Sequence, residues 1–186
     1  NVSLAGLGSG GASRLGQGTG RSAAESERVV RAALDLGINI FDSSPSYGGS
    51  EEILGRALAG VPREYHILAT KFQPHKGQEL ADDPREVDRQ LEESLRRLRV
   101  ETIDVLQYHG VTLAEYGAAL DRFHQAMLRA REAGKIRHIG ITETAAGDPR
   151  HEMLARALED DLFETIMVKY GILNQAAAER VLPLAE

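Results

Sequence analysis

The chain contains no cysteine. Disulfides, thiolate nucleophiles and cysteine-based zinc sites are therefore excluded. The absence fits a reducing compartment, and the cytoplasm is the expected location. Positive charge is also in short supply. The net charge is -6, whereas nucleic-acid binders are usually basic, so no nucleic-acid partner is expected. No apolar run approaches the roughly 20 residues of a membrane span, so no membrane association is expected. The first residues do not join a basic stretch to an apolar one, and a leader peptide is not expected. None of the six histidines stands in H-x-x-x-H or H-E-x-x-H spacing, so no metal site is expected.

What is present is an ordinary globular mixture, 42% hydrophobic and 27% charged. The length of 186 residues is enough for one domain with a real core. Short β-rich apolar runs alternate with amphipathic stretches. Val2 to Leu7 reads as a strand followed by a glycine-rich loop. Ser22 and Glu25 have capping-box spacing, and the helix after them carries Val30, Ala33 and Leu34 on one face and ends near Gly37. Ile38 to Phe41 is a strand ending at Asp42, and a short helix follows over Glu51 to Leu58.

Tyr65 to Thr70 reads as a strand ending at Lys71. Pro84 opens a helix whose buried stripe is Val87, Leu91, Leu95 and Leu98. Ile103 to Tyr108 is a strand ending at His109. Leu113 to Ala133 is a long helix with Leu120, Phe123, Met127 and Ala130 inward, capped by Gly134. Ile136 to Ile141 and Thr165 to Val168 are further strands. Pro149 to Leu158 and Ala176 to Glu186 are further helices.

Six βα units in strict alternation imply a parallel sheet with right-handed crossovers. Two architectures use that pattern: the closed eight-unit barrel and the open doubly wound sheet. Gly6 to Gly11 spells G-x-G-x-x-G, but in an open dinucleotide-binding sheet such a loop leads directly into a helix. Here the helix starts near Ser22, so the loop reads as the first loop of a barrel. A full barrel takes about 250 residues. Residues 1–186 are thus expected to form a single barrel domain holding six of the eight units, with the last two outside this sequence.

Four polar residues recur at one topological position. Asp42 ends the second strand and Tyr47 lies in the loop after it; Lys71 ends the third strand and His109 the fourth. In parallel βα folds the C-terminal strand ends carry the active site. Singly, Asp42 would serve as well as a cap, Tyr47 as a packed loop aromatic and His109 as a hydrogen-bonded strand end. Lys71 closes an apolar run and needs a charged partner. Together the four describe a proton-transfer site. A carbonyl receiving hydride develops negative charge on oxygen and needs a proton. Tyrosine titrates near 10 in isolation, and an adjacent Lys71 ammonium would lower that value. Asp42 would hold Lys71 in place, and His109 would orient the carbonyl oxygen or relay the proton.

Asp42-Ser43-Ser44-Pro45-Ser46-Tyr47-Gly48, followed by Glu51 to Leu58, resembles the D-[TS]-[AS]-x-x-Y-G…E-x-x-[LI]-G-x-A-L segment of aldo-keto reductases. Leu68-Ala69-Thr70-Lys71 resembles the family's lysine strand. Leu91 to Leu98 with Ile103 to His109 is similar to its S-L-x-x-L…D-[LV]-x-x-x-H stretch, and Gly134 to Ile141 to its G-K-[IV]-R-x-[IL]-G-[IV]-S strand. The resemblance runs in order over nearly the whole chain. It implies a (β/α)8 TIM barrel and an oxidoreductase moving hydride between NADP(H), or NAD(H), and a carbonyl or alcohol. Its catalytic tetrad would be Asp42, Tyr47, Lys71 and His109. Cofactor contacts would be Ser9, Gly10, Asp42, Thr142, Glu143 and Met167, with no metal. Thr142 and Glu143 stand where the family has Ser-Asn, and Met167 where a glutamine is common. A small carbonyl or sugar substrate is implied, the segment around Asp42 suggesting an aldose; its identity and the oligomeric state are not. The alternative is a nicotinamide-sensing or scaffold protein that keeps the barrel without turnover.

Overall fold

The computed structural model describes residues 1–144 and 146–185. In chain order the elements are β1 (Gly6–Gly8), α1 (Ala23–Asp35), β2 (Ile40–Asp42), α2 (Ser50–Ala57), β3 (Ile67–Phe72), a two-residue hairpin pair β4 (His75–Lys76) and β5 (Glu79–Leu80), α3 (Glu86–Leu98), β6 (Ile103–Val111), α4 (Tyr116–Glu132), β7 (Ile136–Glu143), α5 (Glu152–Glu159), β8 (Thr165–Met167) and α6 (Ala176–Arg180). Six strands form one sheet in the order β1-β2-β3-β6-β7-β8, every pairing parallel. The order never reverses, as it must at the switch point of a doubly wound sheet. Each strand is added beside the one before it, and the sheet curls into a partial (β/α)8 barrel.

The two faces of the sheet follow from the period-two alternation of strand side chains. Phe41, Leu68, Phe72, Leu106, Tyr108, Ile139 and Ile141 point one way and are buried. Over them lie Val30 and Ala33 of α1, Ile53 and Leu54 of α2, Val87, Leu91, Leu95 and Leu98 of α3, and Phe123, Met127 and Ala130 of α4. Burying each large apolar side chain contributes about 1.5–3 kcal/mol, so this sheet–helix layer is where the fold is stabilised. The other face carries Asp42, Lys71 and Gln107.

The capping box is formed as its spacing predicts. Ser22 accepts from the Glu25 amide, and the Glu25 side chain accepts from Ser22. Several boundaries differ from the sequence expectation. The first strand is shorter at its start: β1 is only Gly6–Gly8, and Ser3 instead exchanges hydrogen bonds with Asn39, its amide donating to the Asn39 side chain and its hydroxyl accepting from the Asn39 amide. β3, β6 and β7 run past Lys71, His109 and Ile141, so Lys71 and His109 lie inside their strands rather than at the last position. Pro84 lies in the turn ahead of α3, which begins at Glu86, while α4 begins at Tyr116 because Thr112 bonds to Glu115 in a turn ahead of it. α5 begins at Glu152, since His151 has a left-handed backbone (φ 57°) that no helix interior accepts. α6 stops at Arg180, with Pro183 blocking continuation; Glu186 lies outside the described residues.

Candidate active site

The site starts from strand register. Lys71 pairs with Gln107 across β3 and β6, and Asp42 pairs with Ala69 one layer below. Lys71 and Gln107 therefore emerge side by side on the concave face, with Asp42 beneath. Lys71 Nζ donates to Asp42 Oδ1, to Asp42 Oδ2 and to the Ser43 carbonyl, each at 2.7 Å. Its three protons are all committed. Gln107 Nε2 donates to Asp42 Oδ1 at 3.2 Å. Lys71 is only 2% exposed, and burial pushes its pKa down and that of Asp42 up, while their mutual attraction opposes both shifts. The three hydrogen bonds and the mutual attraction favour the ionised pair against that desolvation.

Tyr47 lies in the turn after β2, its amide donating to the Ser44 carbonyl at 3.0 Å. Its ring rests on the backbone of Gly10: a Cβ there would stand 2.7 Å from the ring, so only glycine leaves room. Lys71 Nζ is 5.1 Å from the ring centroid. The lysine thus meets the tyrosine through its π face and not through the hydroxyl. Burial, then the Asp42 carboxylate, raises the Tyr47 pKa above its ordinary value. This corrects the expectation that Lys71 lowers it. Lysine's charge is already met by Asp42, and desolvation decides the sign. The resting hydroxyl stays protonated.

His109 meets Tyr47 edge to face, with ring centroids 5.8 Å apart at 87°. Its Nδ1 lies 3.2 Å from Ser44 Oγ, which in turn is 2.9 Å from Ser46 Oγ. Burial, then the charges of Lys71 and His75, pushes its pKa down to about 4. The ring is neutral at neutral pH and one nitrogen can donate a hydrogen bond. A histidine that must stay neutral when folded destabilises the fold in acid. Above pH 6.5 nothing is lost; as pH falls from 6.5 to about 4, the unfolded chain takes the proton first and stability drops by on the order of 2–3 kcal/mol. Urea unfolding of wild type and His109→Gln at pH 7 and pH 4.5 measures this. The variant should lose less on acidification, and equal losses would refute the assignment.

Of the expected cofactor contacts, Ser9 is fully buried; its amide donates to the Asp42 carbonyl at 2.8 Å and its hydroxyl to Ser43 Oγ at 2.9 Å. Gly10 follows it against Tyr47. Thr142 Oγ1 accepts from the Gly110 amide at 2.9 Å and keeps its own proton to donate. Glu143 is engaged elsewhere: Oε2 lies 2.7 Å from His151 Nδ1, and Oε1 accepts from the Lys169 amide at 2.7 Å. Met167 on β8 is 40% exposed. The structure thus brings Asp42, Tyr47, Lys71, His109, Ser9 and Gly10 into one cluster, with Thr142 bonded to the peptide that follows His109.

Sequence reasoning missed Ser43, Ser44 and Gln107. Gln107 was findable, since it stands two residues before His109 on the same strand and so on the same face. The serines carry no such signal. Among the described residues no helix is long and apolar enough to cross a membrane.

A curled βα sheet with these groups gathered at the C-terminal strand ends is a barrel-type enzyme scaffold. Comparison with known proteins gives the family. The sequence pattern of the Aldo/keto reductase family matches residues 7–186, and the chain belongs to that family. It is 39% identical over 139 residues to L-galactose dehydrogenase of Arabidopsis thaliana, covering 71% of this chain and 43% of that protein. It is 32% identical over 191 residues to aldo-keto reductase YhdN of Bacillus subtilis, covering 94% and 55%. Among solved structures, aldo-keto reductase AKR11C1 from Bacillus halodurans (holo form) superposes with a TM-score of 0.76 at 29% identity, over 96% of this chain and 57% of that one. An aldo-keto reductase from Klebsiella pneumoniae in complex with NADPH gives 0.70 at 26% identity, over 98% and 59%. The chain spans about half the length of these curated relatives.

Proposed function

We propose that the protein is an NADP(H)-dependent oxidoreductase that reduces an aldehyde, ketone or aldose carbonyl, or oxidises the corresponding alcohol. The observation that carries the reading is the buried Lys71–Asp42 pair under a protonated Tyr47 beside a neutral His109. NADP(H) supplies the hydride. The residues fit a nicotinamide in part: Thr142 has a hydroxyl proton for a carboxamide oxygen, while Glu143 and Met167 offer no amide like that of the family's usual residues.

The chain's own groups divide the remaining work. Tyr47 Oη donates its proton to the carbonyl oxygen as negative charge develops there, and takes it back in the oxidative direction. Neutral His109 donates a hydrogen bond to the same oxygen and fixes its position. Lys71 contributes a fixed positive charge near the developing alkoxide, and Asp42 holds that lysine by both oxygens. Ser44 fixes the His109 ring through Nδ1. Localisation in the cytoplasm, and a single barrel domain continuing into two further βα units, belong to the same reading.

The test combines NADPH fluorescence titration with turnover. Purified protein should bind NADPH and oxidise it in the presence of a simple aldehyde or an aldose. Binding with no turnover across a panel of aldehydes, ketones and aldoses would overturn the enzyme reading and favour nicotinamide sensing.

A further inference from the structure

The β6–β7 ladder is regular from Ile103 to Tyr108 and then slips. Tyr108 pairs with Ile141, but the next pair is Val111 with Glu143. Three steps along β6 match two along β7, so β6 carries one extra residue at His109–Gly110. This is a β-bulge, a feature that re-aims a side chain and leaves backbone groups without ladder partners. Gly110 adopts φ +65°, a left-handed conformation that glycine takes without strain.

The orphaned peptide groups of Gly110 are met by two hydroxyls from the β7 side. The Gly110 amide donates to Thr142 Oγ1 at 2.9 Å, and Thr144 Oγ1 donates to the Gly110 carbonyl at 2.7 Å. Glu143, between the two threonines, points to the other side of β7. There its carboxylate is clamped by His151 Nδ1 and by the Lys169 amide, both at 2.7 Å. His151 is wholly buried at the head of α5, and its Nε2 has no hydrogen-bond partner among the described residues. One residue of β7 thus ties the strand end to α5 and to the segment after β8. Its two neighbours hold the peptide that follows His109.

We propose that Thr142-Glu143-Thr144 is a positioning device for the bulge that aims His109. In this arrangement Thr144 is a positioning residue for the reaction, and Glu143 acts as the anchor of the device and not as a nicotinamide ligand. The inference rests on the oxidoreductase reading for its kinetic consequence alone. Its geometric part stands without it.

Thr144→Val keeps the side chain's shape and removes only its hydroxyl donor. Thr144 is exposed, so the variant folds. The expected result is a kcat lowered about tenfold by a mis-aimed histidine with the KM for NADPH unchanged. The Gly110 amide should also exchange faster with solvent, and the imidazole 15N signals of His109 should shift. Thr144→Ser should restore all of these. Glu143→Gln, which keeps an acceptor for the Lys169 amide and removes the negative charge facing His151, should shift the same His109 and Gly110 signals without raising the KM for NADPH. Unaltered His109 and Gly110 signals in Thr144→Val, failure of Thr144→Ser to restore them, or a raised cofactor KM in Glu143→Gln would each overturn the proposal. The NMR measurements need neither cofactor nor turnover. If wild type reduces no carbonyl yet Thr144→Val still shifts the His109 signals, the oxidoreductase reading fails and the positioning role stands.

Discussion

Tyr47→Phe is expected to lower carbonyl reduction by about 10²–10⁴-fold while leaving NADPH affinity and folding stability unchanged. The prediction depends on what phenylalanine keeps. The ring would still rest on Gly10, still meet His109 edge to face and still lie over Lys71 Nζ. The Tyr47 hydroxyl has no hydrogen-bond partner among the described residues whose loss would destabilise the fold. Only the proton donor disappears. The same site gives a pH expectation. Burial and the Asp42 charge raise the tyrosine pKa above its ordinary value near 10, so the acid form persists and the reductive rate should not fall between neutrality and about pH 10. Single-turnover NADPH oxidation across that range, for wild type and variant, measures both. A Tyr47→Phe protein retaining more than about a tenth of the activity would move the donor's role to His109, whose neutral ring is the other proton carrier in reach.

The residues of the proposed proton-transfer site could be listed from the sequence, but the electrostatics around Tyr47 could not. An apolar run closed by lysine, an aspartate closing the strand before it and a histidine closing the strand after it form a pattern that period-two alternation and parallel topology bring to one place. The capping box at Ser22 and Glu25 was equally legible, because it depends on residues three apart. The sign of the Tyr47 shift was not. It depends on how much of Lys71's charge Asp42 has already met and on how deeply the hydroxyl is desolvated, which are properties of packed distances.

Pairing register was hidden for a related reason. The bulge at His109–Gly110 exists only between two strands, and nothing in Gln107-Tyr108-His109-Gly110 announces where β7 will slip against it. The Glu143–His151 pair joins residues across a loop whose path the sequence does not specify. Glu143 therefore reads from the sequence only as a cofactor contact, while in the structure its carboxylate meets His151 and the Lys169 amide. Three strand ends fall later than expected, since β3, β6 and β7 run further along the chain, whereas β8 stops at Met167, one residue short of Val168. In a sequence a polar residue after an apolar run reads as a strand terminator, yet Lys71 and His109 find partners in Asp42 and Ser44 and the ladder continues past both.

Lys71→Met should destabilise the fold by about 3 kcal/mol at neutral pH, as well as abolishing turnover. The substitution keeps much of the side chain's volume, so the cavity contribution is small. What it removes is the partner of Asp42, which would remain buried with Gln107 as its one side-chain donor. In wild type, burial already raises the Asp42 pKa, and Lys71 is the main influence holding it down. Without the lysine it rises further. A carboxyl whose folded pKa lies above its unfolded value binds protons more readily when folded, so it destabilises the fold as pH rises through the folded value and does so less in acid. The Lys71→Met deficit should therefore be largest near pH 7 and shrink towards pH 4. The double variant Asp42→Asn, Lys71→Met replaces the stranded charge by a neutral amide and should recover most of the lost stability at pH 7. Urea unfolding of the four proteins at both pH values closes the double-mutant cycle. If the Lys71→Met deficit is independent of pH, or persists in full when Asp42 is also replaced, then Lys71 stabilises the fold by packing and the ion pair is not the element that holds the floor of the site.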